Sequence, residues 1–181
     1  MALWAALAVT SLPAPAMAGS ATCIWDNLSQ SSRDWAFSIY KPDGSLRDED
    51  APPPDEEFER AATACGHEIT DETFTYLTAA AGGIALKKAA AARLKTLAGL
   101  DETTLDSHWL ALSAKQRQAA EAYVLAGDSE SPPKEDDLRP MLFMGLYVLA
   151  GWTPVAEDPL LPHFVNYYAG LVSASAYEKL F

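Results

Sequence analysis

The sequence predicts an all-α protein: a single-domain bundle of about five to six helices, stapled by one disulfide. Three observations predict this fold. The apolar residues recur at helical spacing, no run of alternating β-branched residues is present to form strands, and the chain has two cysteines. Hydrophobic residues make up 49% of the 181 residues, which is typical of a globular protein with a substantial core.

Residues 1–18 have the pattern of an export signal. They carry no charge, are apolar up to Pro13, and end in Ala16-Met17-Ala18, a small-x-small motif that signal peptidases cleave. We therefore expect a mature chain that begins at Gly19 and is periplasmic or secreted. The usual Lys or Arg at the start of such a signal is missing. Two alternatives are therefore a short buried helix and a true start upstream of Met1.

The two cysteines, Cys23 and Cys65, would be exported together into an oxidising compartment and are predicted to form a disulfide. They lie 42 residues apart. In a chain-entropy model, closing such a loop stabilises the fold by roughly 4 kcal/mol. A redox-active pair is less favoured, because the Cys-x-x-Cys motif is absent.

Two acidic, proline-rich segments divide the helical sequence. Residues 41–57 contain three consecutive prolines among Asp and Glu, and residues 127–137 repeat this composition more briefly, so both are predicted to be loops. Outside these loops we expect helices over residues 25–40, 70–97, 102–111, 113–126, 138–151 and 162–180. Gly82-Gly83 is expected to kink or split the second helix, and Gly127 to end the fourth.

A twelve-residue pattern occurs twice, at an offset of 84 residues. Its shared residues are Trp25, Leu28, Ser29, Arg33 and Ala36 in the first copy, and Trp109, Leu112, Ser113, Arg117 and Ala120 in the second. Ser113 and Gln116 are spaced to form a capping box, and each arginine lies one turn into a predicted helix. The pattern indicates a duplicated helical unit. Five identities in twelve positions also arise by chance between amphipathic helices, which is the alternative.

Residues 141–152 are the most apolar part of the chain after the export signal. A helix that is apolar on all sides is buried in a core or lies in a membrane, and twelve residues are too few to span a bilayer. We therefore expect it to be the central core helix. The alternative is a groove for a small hydrophobic ligand or lipid, lined by Met141, Phe143 and Met144.

One amphipathic helix carries four of the 13 basic residues of the chain. We call these four the basic strip: Lys87, Lys88, Arg93 and Lys95. One interpretation is a solvated polar face. The other is a docking strip for an acidic partner, or for the acidic loops of the chain itself.

The formal net charge of −12 argues against nucleic acid and anionic lipid as partners, because like charges repel. No metal or cofactor is predicted. The three histidines share no metal-ligand spacing; they are His67, His108 and His163.

No motif of a hydrolase or of a phosphate-binding loop is present in the sequence. Glu68, Asp71 and Glu72 are the nearest candidates for acid–base catalysis, but acids at a helix start serve the helix dipole by default. We therefore expect a non-enzymatic role.

The sequence leaves three classes of function open. We expect an interaction protein, such as an inhibitor or accessory factor, that binds another protein of the cell envelope. The alternatives are a carrier of small hydrophobic ligands or lipids and a small envelope enzyme. A grooved surface without a cavity would favour the first class, and a large enclosed apolar cavity the second. A cleft lined by acids and aromatic residues would favour the third.

Overall fold

The computed structural model describes residues 19–47, 55–126 and 158–181. These three segments form a single helical domain with seven α-helices and no strand, which confirms the all-α prediction. The helices are α1 (Ala21–Asn27), α2 (Gln30–Ser38), α3 (Asp55–Ala64), α4 (Asp71–Ala98), α5 (Glu102–Ala111), α6 (Ala114–Ala126) and α7 (Leu161–Tyr177). A 3-10 turn, Glu178–Leu180, follows α7.

Several sequence predictions lie outside the described residues. They are the export signal (1–18), the loop over 127–137, the helix over 138–151, and Met141, Phe143 and Met144. All of these stay predictions.

The long helix α4 is the centre of the domain. It begins with a capping box, in which Thr70 Oγ1 accepts from the backbone N–H of Thr73 at 3.2 Å and Thr73 Oγ1 accepts from that of Thr70 at 2.8 Å. It ends at Gly99, whose φ of +71° is the left-handed conformation that favours glycine. Helices α1, α2 and α3 pack on α4, α7 runs along it, and α6 packs on α7.

The predicted split of this helix at Gly82-Gly83 is wrong, because α4 is one continuous helix. Gly83 instead allows α7 to cross α4 closely at Gly170. A Cβ built on Gly83 would lie 2.7 Å from the carbonyl oxygen of Gly170, and one on Gly170 would lie 2.5 Å from that of Gly83. Gly82 is different, since a Cβ there would meet nothing within 4 Å.

The predicted helix over 25–40 is two helices in the structure. Leu28, at the end of α1, has an extended backbone with ψ of 150°, which interrupts the helical hydrogen bonds. Ser29 then caps α2 by accepting from the backbone N–H of Ser32 at 3.2 Å. Ser29 therefore starts a new helix here.

Helix α3 begins inside the predicted loop over 41–57, so that loop ends earlier than expected. Asp55, Glu56 and Glu57 occupy its first turn, where negative charge is favourable to the helix dipole. These three acids of the predicted loop are therefore the start of a helix.

The predicted disulfide is present. Cys23 of α1 and Cys65, just after α3, are joined with their Cα atoms 5.9 Å apart. Both residues are buried, and they belong to a core cluster that also contains Ile24 and Leu77. The bond therefore fixes α1 to the end of α3 within the core.

Candidate functional site

An open apolar groove of about 220 Å³ lies between α2, α3 and α4, beside the end of α1. We call it the aromatic groove, because its lining includes the rings of Trp25, Trp35, Phe58 and Phe74. Helix α4 contributes small residues as well, among them Ala81, Gly82 and Ala85. Because Gly82 has no side chain and faces open space, it leaves room within the groove.

Three of the four rings that line the groove, those of Trp25, Phe58 and Phe74, make edge-to-face contacts. Phe58 of α3 and Phe74 of α4 meet edge to face, with ring centroids 5.5 Å apart and planes at 84°. Trp25 packs against Phe37 in the same way, at 5.9 Å and 83°. Edge-to-face contacts of this kind are favourable beyond the area they bury. The groove is therefore a preformed surface.

Glu57 ties α3 to the start of α2 beside the aromatic groove. Its carboxylate accepts from the backbone N–H of Ser29 and from the hydroxyl of Ser32, both at 2.7 Å. Hydrogen bonds from Ser29 and Ser32 lower the pKa of Glu57 to about 2. The carboxylate is therefore charged at neutral pH, and its role is to position α3.

The α3 side of the aromatic groove is acidic. Asp55 lines the groove, and Glu56 and Glu59 are exposed on the same helix. The one base of α3 is Arg60, which lies 3.8 Å from Glu57. The exposed acids of α3 thus outnumber its base.

Trp35 brings an unsatisfied polar atom to the groove lining. Its indole Nε1 is buried and has no acceptor within the described residues. An indole N–H is a donor only, and a buried donor without an acceptor is unfavourable. Trp35 therefore adds to the lining residues one buried donor that has no acceptor in the described part of the chain.

The structure does not present the basic strip as one free surface. Lys87 is only 15% exposed, with its Nζ 2.9 Å from Asp106 Oδ1, and Lys88 Nζ lies 3.1 Å from Glu102 Oε1. The expectation that Lys87 lies on an exposed face is therefore wrong. Arg93 is half-buried, and Lys95 is exposed in the last turn of α4. Binding of a partner by the basic strip stays a prediction.

The side chains around Lys87 form a polar cluster between helices. The Tyr167 hydroxyl donates to Asp106 Oδ1 at 2.7 Å, and Lys87 Nζ lies 5.4 Å from the centroid of the Tyr167 ring. Burial and the hydrogen bond to Asp106 raise the pKa of Tyr167, so this hydroxyl stays protonated. The cluster joins α5 to α4 and α7, and it has the character of a structural ion pair.

A second buried polar network lies at the start of α7. His163 is fully buried, and its Nδ1 lies 2.8 Å from the hydroxyl of Tyr40. The Asn166 amide donates to the Tyr40 oxygen at 3.2 Å and to the Gly44 carbonyl at 2.6 Å. These bonds fix the turn after α2 against α7.

The two copies of the repeated pattern have the same local geometry. Both tryptophans are buried, Trp25 at 5% and Trp109 at 7% exposure. The two arginines bond to the carbonyl seven residues earlier: Arg33 to Asp26 at 3.0 Å and Arg117 to Leu110 at 3.1 Å. The two serines cap α2 and α6, with Ser29 accepting from Ser32 N and Ser113 from Gln116 N. Duplication itself stays a prediction.

The remaining candidates do not assemble into a site. In the part of the chain that the structure describes, no three His, Cys, Asp or Glu residues are grouped as a metal site would require. His67 packs edge to face on Phe181, 4.9 Å between centroids. Glu68, Asp71 and Glu72 are exposed around the start of α4, as helix-dipole acids would be.

No family model, no curated protein and no solved structure matches this chain. Among the described helices, none is both long enough and apolar enough to cross a membrane. The function is therefore argued from the geometry of the aromatic groove.

Sequence reasoning missed this groove, although α4 carried a signal for it. Phe74, Thr78 and Gly82 are spaced four residues apart, and Ala81 and Ala85 lie on the same face. A helix face with one aromatic ring followed by small residues is suited to form the base of a groove. The residues of α2 and α3 that complete it are distant in the sequence, and no local pattern connects them to α4.

Proposed function

We propose that this protein is an exported, non-enzymatic interaction protein, and that its aromatic groove receives an apolar side chain of another cell-envelope protein. The observation that carries the proposal is the open groove with aromatic residues from several helices. Aromatic side chains are enriched at protein interfaces, and partner side chains that fill pockets supply most of the binding energy. A carrier would be expected to enclose its ligand.

The way in which the groove is held supports this role. The disulfide joins α1 to the end of α3, and Glu57 joins α3 to the start of α2. A surface that is ordered before binding loses less conformational entropy when the partner arrives. The groove is therefore suited to bind a partner with little rearrangement.

Export is supported by two independent features. Residues 1–18 have the composition and cleavage motif of a signal peptide. The Cys23–Cys65 bond is formed, and such bonds persist in oxidising compartments. A partner in the cell envelope would share this compartment.

The test uses a substitution that fills the groove without disturbing the fold. Gly82→Phe places a ring in the open space above α4, and Ala92→Phe places the same ring at an exposed position of the same helix. The full-length gene is expressed with a C-terminal tag, and proteins bound to the exported chain are identified by mass spectrometry. We expect the wild type and Ala92→Phe to retain the same envelope protein and Gly82→Phe to lose it. Equal retention by Gly82→Phe would refute the groove as the docking site.

A further inference from the structure

We infer that the aromatic groove selects a cationic amphipathic segment of its partner, in which an apolar side chain is flanked by Lys or Arg. This inference rests on the proposed function and names the chemistry of the segment that binds. Two features of the groove support it: its size and the acids along α3.

The volume of the groove fits one large apolar side chain. An apolar cavity of about 150 Å³ is known to accommodate benzene. The groove, at about 220 Å³, therefore has room for one aromatic or long aliphatic side chain. The edges of Phe58 and Phe74 and the open space at Gly82 define where that side chain would lie.

The charge around the groove sets the sign of the flanking residues. Asp55 lies in the lining, and Glu56 and Glu59 are exposed on the same helix, α3, with Glu59 one turn after Asp55. Glu57, the fourth acid of α3, is bound to Ser29 and Ser32 and serves the fold. With a net charge of −12 on the whole chain, Lys or Arg next to the apolar side chain is attracted, and Asp or Glu is repelled.

The experiment compares two synthetic peptides with the same pattern of leucines. One has lysine and the other glutamate at every polar position, and neither contains tryptophan, so that binding is followed by the tryptophan fluorescence of the protein. We expect the lysine peptide to bind roughly tenfold more tightly or better, and its binding to weaken as salt screens the charges. Gly82→Phe should abolish this binding, and Ala92→Phe should leave it unchanged.

Matched charge variants separate the groove from the overall charge. Asp55→Asn with Glu59→Gln removes two negative charges from successive turns of α3, and Ala111→Lys with Gln118→Lys adds two positive charges on exposed positions of α5 and α6. We expect the first pair of substitutions to lower the affinity for the lysine peptide roughly tenfold, and the second pair to lower it less than about twofold.

The outcomes distinguish this inference from the proposed function. If both charge pairs weaken the lysine peptide equally, or if the glutamate peptide binds equally well, the inference is overturned. In that case Gly82→Phe can still lose the envelope partner, and the proposed function stands. If Gly82→Phe retains the partner, the proposed function itself has failed.

Discussion

His163 shows how a single buried side chain makes the fold sensitive to acid. It lies wholly inside the protein, within hydrogen-bonding distance of Tyr40. Burial lowers the pKa of His163, and the nearby positive charge of Arg93 acts in the same direction. The carbonyl of Pro42 and the charge of Asp43 oppose this shift without reversing it. The imidazole is therefore neutral in the folded protein at neutral pH.

We predict that the free energy of unfolding decreases as the pH falls below about 6.5. The pKa of His163 is lower in the folded than in the unfolded chain, so protons bind more readily to the unfolded state. The contribution of His163 to stability is thus complete above the pKa that it has in the unfolded chain. It is lost as the pH falls toward the lower pKa that it has in the folded protein. Burial also lowers the pKa of His67, which adds in the same direction.

The measurement is urea unfolding of the wild type and of His163→Gln at pH 7 and pH 5. His163→Gln should show a smaller loss between the two pH values than the wild type. An NMR titration gives an independent check, since the His163 imidazole should titrate below 6.5. A titration at or above that value would contradict the prediction.

Glu57 is the second residue whose charge state the fold determines. We predict that Glu57→Gln lowers the free energy of unfolding by about 1–2 kcal/mol, because hydrogen bonds to a charged group are lost. The pKa of Glu57 is about 2 in the folded protein. The contribution of the carboxylate to stability is therefore complete above the ordinary pKa of a glutamate, and it is lost as the pH falls toward 2. Glu56→Gln, at the exposed neighbouring position, is the control and should change stability little in urea unfolding at pH 7.

The structural role of neither residue was predicted from the sequence. His163 and Tyr40 are 123 positions apart, and Glu57 lies 25 positions from Ser32. Sequence patterns relate residues that lie within a few turns of one helix. They therefore do not predict contacts between residues so far apart in the chain. The pairing of Cys23 with Cys65 was predictable because the chain has two cysteines and so one possible pair.

At the scale of helices, local signals worked where both ends of a helix carried one. The prediction for residues 102–111 agrees with α5, which Asp101 caps by accepting from Thr104 N at 2.8 Å. The prediction for residues 25–40 failed because Ser29 was interpreted as part of a helix. In the structure Ser29 is a cap, as Ser113 is in the second copy of the pattern. The aromatic groove was missed because residues of four helices line it, α1 to α4.

The two adjacent glycines of α4 provide a direct test of helix packing. We predict that Gly82→Ala raises the free energy of unfolding by about 0.5–1 kcal/mol, because alanine favours the helix and meets no neighbour. Gly83→Ala should lower it by about 1–3 kcal/mol, because its Cβ would lie 2.7 Å from backbone atoms of α7. Urea unfolding of both variants gives the comparison. Equal effects of the same sign would contradict the close crossing of α4 and α7.

At the scale of the whole molecule, processing is the first prediction. The N–H of Gly19 donates to the Cys65 carbonyl at 3.0 Å. Ala16-Met17-Ala18 lies immediately before Gly19. We predict that the exported protein begins at Gly19, and the intact mass of the protein from its native host measures this. A mass that includes Met1 in the envelope fraction would show that the leader is retained.

The disulfide joins a helix close to the predicted cleavage site to a helix that lines the aromatic groove. Cys23 is in the first helix after the predicted cleavage site, and Cys65 is at the end of the helix that carries the acids beside the groove. Trp25 is two residues from Cys23 and lines the same groove. The disulfide therefore fixes two of the helices that contribute residues to the groove.

We predict that Cys23→Ser with Cys65→Ser lowers the free energy of unfolding by roughly 2–4 kcal/mol. It should also weaken retention of the envelope partner, because α1 and α3 are no longer fixed to each other before binding. Urea unfolding and the affinity capture described above measure the two effects. Glu57→Gln is the matched comparison, since it loosens α3 from α2 and leaves the disulfide intact. Alkylation without reductant should label neither cysteine of the exported wild type. A free thiol in the folded protein, or undiminished stability of the double variant, would contradict the prediction.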